Sequence, residues 1–216
     1  MKKIASPLFQ DLSEAELDTL AAAGHLRTRQ FAKHEVIFRA GSCVREIGIV
    51  LRGSVHIENL DLWGTKSILS SVGAGQAFAE TYAFCGEALM VDAVAAEHCE
   101  ILFLHTAAFT DARIEPALQD KLLRRLLAVS MRKNLSLSQR IFCTTPKTVR
   151  GRLLTYFSAQ AARCGRMAFE VPFNRQQLAD YLNLDRSALS KELCKMRDEG
   201  LLEFDKNRFV LKQLPE

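Results

Sequence analysis

The apolar residues of this 216-residue chain pass from a strand period to a helical one near Pro116, and that change restricts the fold more than any other feature. In "EIGIVLRGSVHIENL" (46–60) Ile47, Ile49 and Leu51 alternate, Gly53 interrupts, and Val55 and Ile57 resume. A period of two marks half-buried strands, so the segment predicts a hairpin turning at Gly53. The runs "KSILSSV" (66–72), "LMVDAVAA" (89–96) and "CEILFLH" (99–105) follow, separated by "LWGT", "GAGQ" and "CGEA". Short strands at this spacing predict a small antiparallel barrel or roll. After Pro116 the pattern turns helical, and "ALQDKLLRRLLAVSMRKNLSLSQRIFC" (117–143) contains neither Gly nor Pro. Strands followed by helices place the chain in the α+β class.

The helices have readable ends. "SEAELDTLAAAG" (13–24) opens on a capping box, Ser13 with Glu16, and closes on Gly24. In the long helix Leu123, Leu127, Ser130, Asn134, Leu137 and Ile141 fall at 4–3 spacing, the pattern of a coiled-coil seam. Two readings stand for it: pairing with a second copy in a homodimer, or packing on its own domain. Asn134 in the seam would favour a fixed register and a dimer. "TTPKTVRGRLLTYFSAQAARCG" (144–165) starts a new helix, with Thr145 as N-cap and Pro146 at the first helical position. These signals divide the chain into a roll (1–112), a long helix (113–143) and a C-terminal domain (144–216).

Within that last domain, Asn174 and Gln177 form a second capping box, and Leu178 and Leu182 lie one turn apart. Asn183–Leu184–Asp185 makes a corner: Asn tolerates a left-handed backbone, and Asp185 suits the next N-cap. The tail "LLEFDKNRFVLKQ" (201–213) reads as a hairpin around Asp205–Lys206–Asn207. Two helices on a tight turn, with a helix before and a hairpin after, predict a winged helix-turn-helix. The second helix carries Arg186, Ser187, Ser190 and Lys191 on one side, with Leu189, Leu193 and Met196 on the other. A solvated face is the plain reading. The sharper one is entry into the major groove, where Arg186 and Lys191 suit guanine O6/N7 and the serines suit either base type. Arg175 and Gln176, near the start of the first helix, suit phosphates.

Charge supports a polyanion partner for the second half. Residues 1–112 hold 9 Lys+Arg against 14 Asp+Glu, residues 113–143 hold 7 against 2, and residues 144–216 hold 13 against 9. No apolar run approaches the ~20 residues of a membrane span. "MKKIASPLFQDLSEAEL" lacks the apolar stretch of a secretion signal, so a cytoplasmic location is expected. The six cysteines (43, 85, 99, 143, 164, 194) include no CxxC pair and are expected to be reduced. No nucleophile–base constellation, phosphate loop or metal-ligand spacing suggests an enzyme.

A short helix, a β-roll, a long helix and a winged helix-turn-helix together resemble the cyclic AMP receptor protein/FNR (Crp/Fnr) family of bacterial transcription regulators. "NRQQLADYLNLDRSALSKEL" and "GAGQAFAE" carry the resemblance most strongly, the latter being similar to the family's Gly-x-x-x-Gly-Glu stretch. It implies a homodimer that reads a palindromic DNA site and responds to a signal sensed in the roll, with RNA polymerase as partner if it activates. The departures are specific. Ser187 stands where members reading the best-known half-sites carry a Glu, so a different base preference is expected. In the roll, Ala79 precedes Glu80 where the family has Gly, and the Arg-Ser region that holds the cyclic phosphate reads "LMVDAV". Between Lys66 and Arg113 there is no Lys or Arg, while Glu80, Glu87, Asp92, Glu97, Glu100 and Asp111 are acidic. Cyclic AMP is therefore not the expected effector. An iron–sulfur cluster is not expected, because no cysteines cluster near the N-terminus, nor is haem on His25, His34, His56, His98 or His105.

What remains in the roll is an apolar set with one carboxylate: Phe78, Ala79, Glu80, Thr81, Tyr82, Phe84, Met90 and Val91, with Leu137 of the long helix closing it. Such a lining suits a small neutral or weakly basic organic molecule. Two alternatives stay open: these side chains simply fill the roll, or a thiol at Cys85 or Cys99 senses directly. A rival from another class is a ligand-binding module whose helix-turn-helix contacts protein rather than DNA.

Overall fold

The computed structural model describes residues 4–60 and 66–212, and contacts divide the chain into two compact units, Met1–Arg132 and Lys133–Glu216. The "LWGT" turn expected at 62–65, the first three residues and Gln213 lie outside the described residues.

In the first unit α1 (Glu14–Ala22) starts on its capping box, with the Ser13 hydroxyl accepting from the Glu16 N–H at 3.2 Å and the Glu16 carboxylate accepting from the Ser13 N–H at 2.7 Å. The strands that follow are β1 (Leu26–Phe31), β2 (Val36–Phe38), β3 (Glu46–Arg52), β4 (Val55–Leu60), β5 (Lys66–Val72), β6 (Ala77–Phe78), β7 (Asp92–Ala95) and β8 (Cys99–His105). A short helix, α2 (Glu80–Cys85), separates β6 from β7. The strands make two antiparallel sheets, ordered β1-β8-β3-β6 and β2-β7-β4-β5. Phe31, Phe38, Val50, Val55, Phe78 and Phe103 from the two sheets share one core. This is the antiparallel roll that the alternation predicts.

The hairpin expected at Gly53 is not there. β3 bonds to β8 and β6, while β4 bonds to β7 and β5, so at Gly53 the chain passes from one sheet to the other. Alternation reports which face of a strand is buried, and that signal is the same in a hairpin and in a crossover. Gly53 has φ +82°, and a Cβ there would lie 2.6 Å from the His98 carbonyl oxygen. The run 89–96 is a strand only over Asp92–Ala95, with Leu89 buried in the core before it.

The long helix α3 runs over Pro116–Thr144. Its first turns bury Leu118, Leu122 and Leu126 with Leu17, Leu20, Ile47 and Ile49. Lys121 pairs with Glu16 at 2.7 Å, and Arg125 pairs with Asp11. Leu123, Leu127 and Met131 are exposed on this part, as are Leu135, Leu137, Ile141 and Phe142 on the part within the second unit.

In the second unit Thr145 is not the N-cap of the next helix. Its hydroxyl donates to the Ile141 carbonyl at 2.8 Å, satisfying the end of α3, and Pro146 falls in the connector. The cap is Thr148, whose hydroxyl accepts from the Gly151 N–H at 3.0 Å, and α4 spans Val149–Cys164. β9 (Ala168–Glu170), α5 (Arg175–Leu182), α6 (Arg186–Asp198), β10 (Leu202–Asp205) and β11 (Arg208–Leu211) complete the domain, with sheet order β10-β11-β9. The terminal hairpin thus carries a third strand, β9, whose three residues are too few to show a period. Phe157, Leu178, Leu189, Leu193, Met196 and Phe209 meet in its core.

Candidate nucleic-acid interface and sensor pocket

The corner between α5 and α6 is built by local chemistry. The Asn174 side chain accepts from the Gln177 N–H and the Gln177 side chain accepts from the Asn174 N–H, each at 2.9 Å, so α5 starts at Arg175. Asn183 adopts the left-handed conformation (φ 56°, ψ 51°) that its side chain tolerates better than most. Asp185 then caps α6, one carboxylate oxygen accepting from the N–H of Ser187 (2.8 Å) and of Ala188 (2.9 Å). The Ser187 hydroxyl and then these backbone bonds hold the Asp185 carboxyl below the usual carboxylate range.

Arginines lock this corner from inside the domain. Arg152 of α4 donates to the carbonyls of Pro146 (2.8 Å), Leu182 (3.1 Å) and Asn183 (2.8 Å). Arg140, near the end of α3, donates to those of Asp180 (3.0 Å) and Tyr181 (3.1 Å). Carbonyls at a helix C-terminus have no intrahelical partner, and cations are favoured there. Arg150 joins α4 to α6 through Glu192 (2.5 Å) and Glu199 (2.8 Å), which raise its pKa and lower that of Glu199. These positioning residues escape the sequence reading, where they count only as basic charge.

With the inner face of α6 fixed by Leu189, Leu193 and Met196, its outer face carries the expected residues. Arg186, Ser187 and Lys191 are exposed and Ser190 is half-buried. A cleft of about 650 Å³ is lined by Pro172, Phe173, Asn174, Arg175, Gln176, Arg186, Lys206 and Asn207. It thus joins the start of α5, the first residue of α6 and the wing turn. Lys206 (φ 50°) and Asn207, read in the sequence only as turn residues, belong to this cleft. Gln176 is exposed and bonds Asp180 at 2.9 Å. Arg175 is half-buried, its guanidinium 4.8 Å from the Phe204 ring centre and 5.1 Å from that of Phe209, and burial lowers its pKa. One residue therefore both anchors the wing by cation–π contact and presents charge to the cleft.

The roll residues do not come together in the same way. Phe78 is spent on the core: its ring lies 5.7 Å from that of Phe38 and fills the space a Cβ on Gly48 would need. Met90 is 77% exposed and Leu137 60% exposed. Ala79 holds a left-handed backbone (φ 62°, ψ 8°), directly before Glu80 at the start of α2. Glu80 is buried, with 5% exposure. A groove of about 240 Å³ is lined by Glu80, Thr81, Phe84, Cys85, Leu123, Leu126, Leu127 and Ser130. Three of the expected residues, Glu80, Thr81 and Phe84, line it. Tyr82 and Val91 are half-buried outside it. Cys85 is exposed, whereas Cys99 is buried and donates its thiol to the Ser54 carbonyl at 3.0 Å. Among the described residues no group of three or more His, Cys, Asp or Glu side chains is arranged to hold a metal ion. His25 bonds Asp111 at 2.7 Å, and His105 accepts from the Ala107 N–H at 3.0 Å.

Comparison with known proteins matches residues 28–113 to the model of the cyclic nucleotide-binding domain and residues 151–216 to that of the Crp-like helix-turn-helix domain. Among solved structures, a catabolite activator protein of Thermus thermophilus is 25% identical over 96% of this chain and 94% of its own, with a TM-score of 0.50. FixK2 of Bradyrhizobium japonicum shares the fold at 19% identity, over 87% of this chain and 93% of its own, with a TM-score of 0.51. CprK complexed with OCPA shares it at 12% identity, over 91% and 92%, with a TM-score of 0.65. No curated protein sequence matches the chain. A cyclic-nucleotide-binding-type roll, a long helix and a Crp-like helix-turn-helix define a class of DNA-binding transcription regulators, which are not enzymes. This chain belongs to the Crp/Fnr family of that class. Regulators of the family bind DNA and form dimers. Among the described residues no helix is long and apolar enough to cross a membrane.

Proposed function

We propose that the chain is a homodimeric, sequence-specific transcription regulator whose roll senses a small molecule other than cyclic AMP. In this reading residues 1–112 are the sensor, 113–143 the dimerisation helix and 144–216 the DNA reader. The carrying observation is the exposed face of α6, Arg186, Ser187 and Lys191, beside a cleft shared with Arg175, Gln176 and Lys206. Arg186, Ser187, Ser190 and Lys191 face base edges, and Arg175, Gln176 and Lys206 face phosphates. The apolar residues exposed on α3 support pairing with a second copy, which would set two recognition helices on a palindromic site roughly 34 Å apart. A signal in the roll shifts the long helices and moves the recognition helices toward or away from that spacing. If the output is activation, RNA polymerase is the partner.

The effector reading rests on the α2–α3 groove, whose lining is largely apolar beside the buried Glu80. Met90 and Val91 stand in the region where the family holds a cyclic phosphate, and neither can supply a countercharge. The test is a titration of labelled duplex with the full chain at rising salt, with and without cyclic AMP. Affinity is expected to fall roughly 10³- to 10⁵-fold between 50 and 200 mM salt for six to ten phosphate contacts. It is expected to be indifferent to the nucleotide. A flat salt response would favour a module that acts through protein contacts.

A further inference from the structure

The first turn of α6 fixes more than the position of Ser187. Its hydroxyl lies 2.5 Å from the same Asp185 oxygen that accepts the N–H groups of Ser187 and Ala188. An ionised carboxylate only accepts, so the serine proton points at Asp185 and the lone pairs of the exposed oxygen point away from it. Asp185 is held ionised by these donors. Arg186 and Lys191, on either side along the helix, have no acceptor to offer. Beside the half-buried Ser190, the reading face therefore carries two cationic donors and, at Ser187, a neutral acceptor.

Resting on the DNA-binding reading above, we infer that Ser187 selects an exocyclic amine, cytosine N4 or adenine N6, on the strand it contacts. In the major groove guanine presents O6 and N7 and thymine presents O4, all acceptors, which meet the Ser187 lone pairs without a proton between them. Cytosine and adenine each present an amine donor there. The serine then does with a neutral oxygen what an acidic side chain does with a charged one, and it accepts adenine as well as cytosine. Turning the hydroxyl to serve guanine or thymine means giving up a charge-assisted bond to the helix cap.

The experiment is selection of bound sequences from a random duplex pool by the full chain, run in parallel for the wild type, Ser187→Ala and Asp185→Gly. Ser187→Ala is an exposed change, and glycine remains an acceptable N-cap, so both variants are expected to fold. The wild type is expected to enrich a two-fold symmetric site in which one position per half-site prefers A or C over G or T by roughly three- to tenfold. Ser187→Ala should flatten that position alone. Asp185→Gly frees the hydroxyl proton and should admit G and T there. The inference is overturned if the position that responds to Ser187→Ala prefers G or T, or if no position responds while the symmetric site persists. If the wild type enriches nothing, the DNA-binding reading fails, and the base assignment fails with it.

Discussion

The winged helix and the roll treat charge in opposite ways. In the winged helix cations are plentiful and divided in function: Arg140, Arg150 and Arg152 turn inward to fix α5 and α6, while Arg175, Arg186 and Lys206 surround the cleft. In the roll the stretch from 67 to 112 has no Lys or Arg, and its one buried acid is Glu80. Yet the backbone there keeps the left-handed turn at Ala79 that a Gly-Glu pair would adopt without strain. The roll thus holds a shaped turn in a stretch without cations, whereas the winged helix sets cations around a shaped cleft. The fold therefore says less about what the roll could bind than about what the winged helix could.

That contrast can be broken or sharpened by substitution. The largest effect is expected from Phe157→Ala, which removes a ring buried against Phe169 and Phe209. It should cost about 3–5 kcal/mol in the winged helix. Chemical denaturation followed by circular dichroism would detect it as an early transition that leaves the roll's own transition in place. Arg152→Ala leaves the carbonyls of Leu182 and Asn183 without their donor and should cost about 1–3 kcal/mol in the same measurement. It should also weaken DNA binding, since the corner it holds aims α6.

Smaller effects separate reading from positioning. Arg186→Ala should cost roughly 1–3 kcal/mol of binding on the preferred site and relax base choice, whereas Arg175→Ala should weaken all duplexes alike. Anisotropy titrations on preferred and random duplexes distinguish the two. Equal losses on both duplexes for both variants would contradict the assignment. Smallest of all, Ala79→Gly relieves a left-handed alanine at some entropic cost and should stabilise the roll by about 0.5 kcal/mol. A thermal melt showing destabilisation instead would mean that the packing of the half-buried Ala79 methyl against the roll core outweighs the relief of its backbone.

The reading end was legible because its signals are local. Asn174 with Gln177, Asn183 at the corner and Asp185 at the cap each act within three residues, so the sequence shows them directly. The roll is legible only as a class. β1 is missed because Arg27 and Arg29 interrupt its apolar pattern, their guanidiniums stacking on Phe103 and Phe31. The crossover at Gly53 is missed because the partners of β3, β6 and β8, lie dozens of residues away and leave no mark on alternation. The same distance hides Arg140 and Arg152, whose carbonyl partners on Asp180, Tyr181, Leu182 and Asn183 lie 30 or more residues downstream. In the roll, neither the burial of Phe78 in the core nor the lining of the α2–α3 groove by Leu123 and Leu126 follows from spacing.

The central claim is that α6 is a sequence reader in a two-fold assembly, and selection of bound duplexes by the purified full chain tests it most directly. A symmetric consensus with half-sites about one helical turn apart is expected, relaxed at the Arg186 position in Arg186→Ala. Enrichment of an asymmetric motif, or of the same motif by wild type and Arg186→Ala, would contradict it.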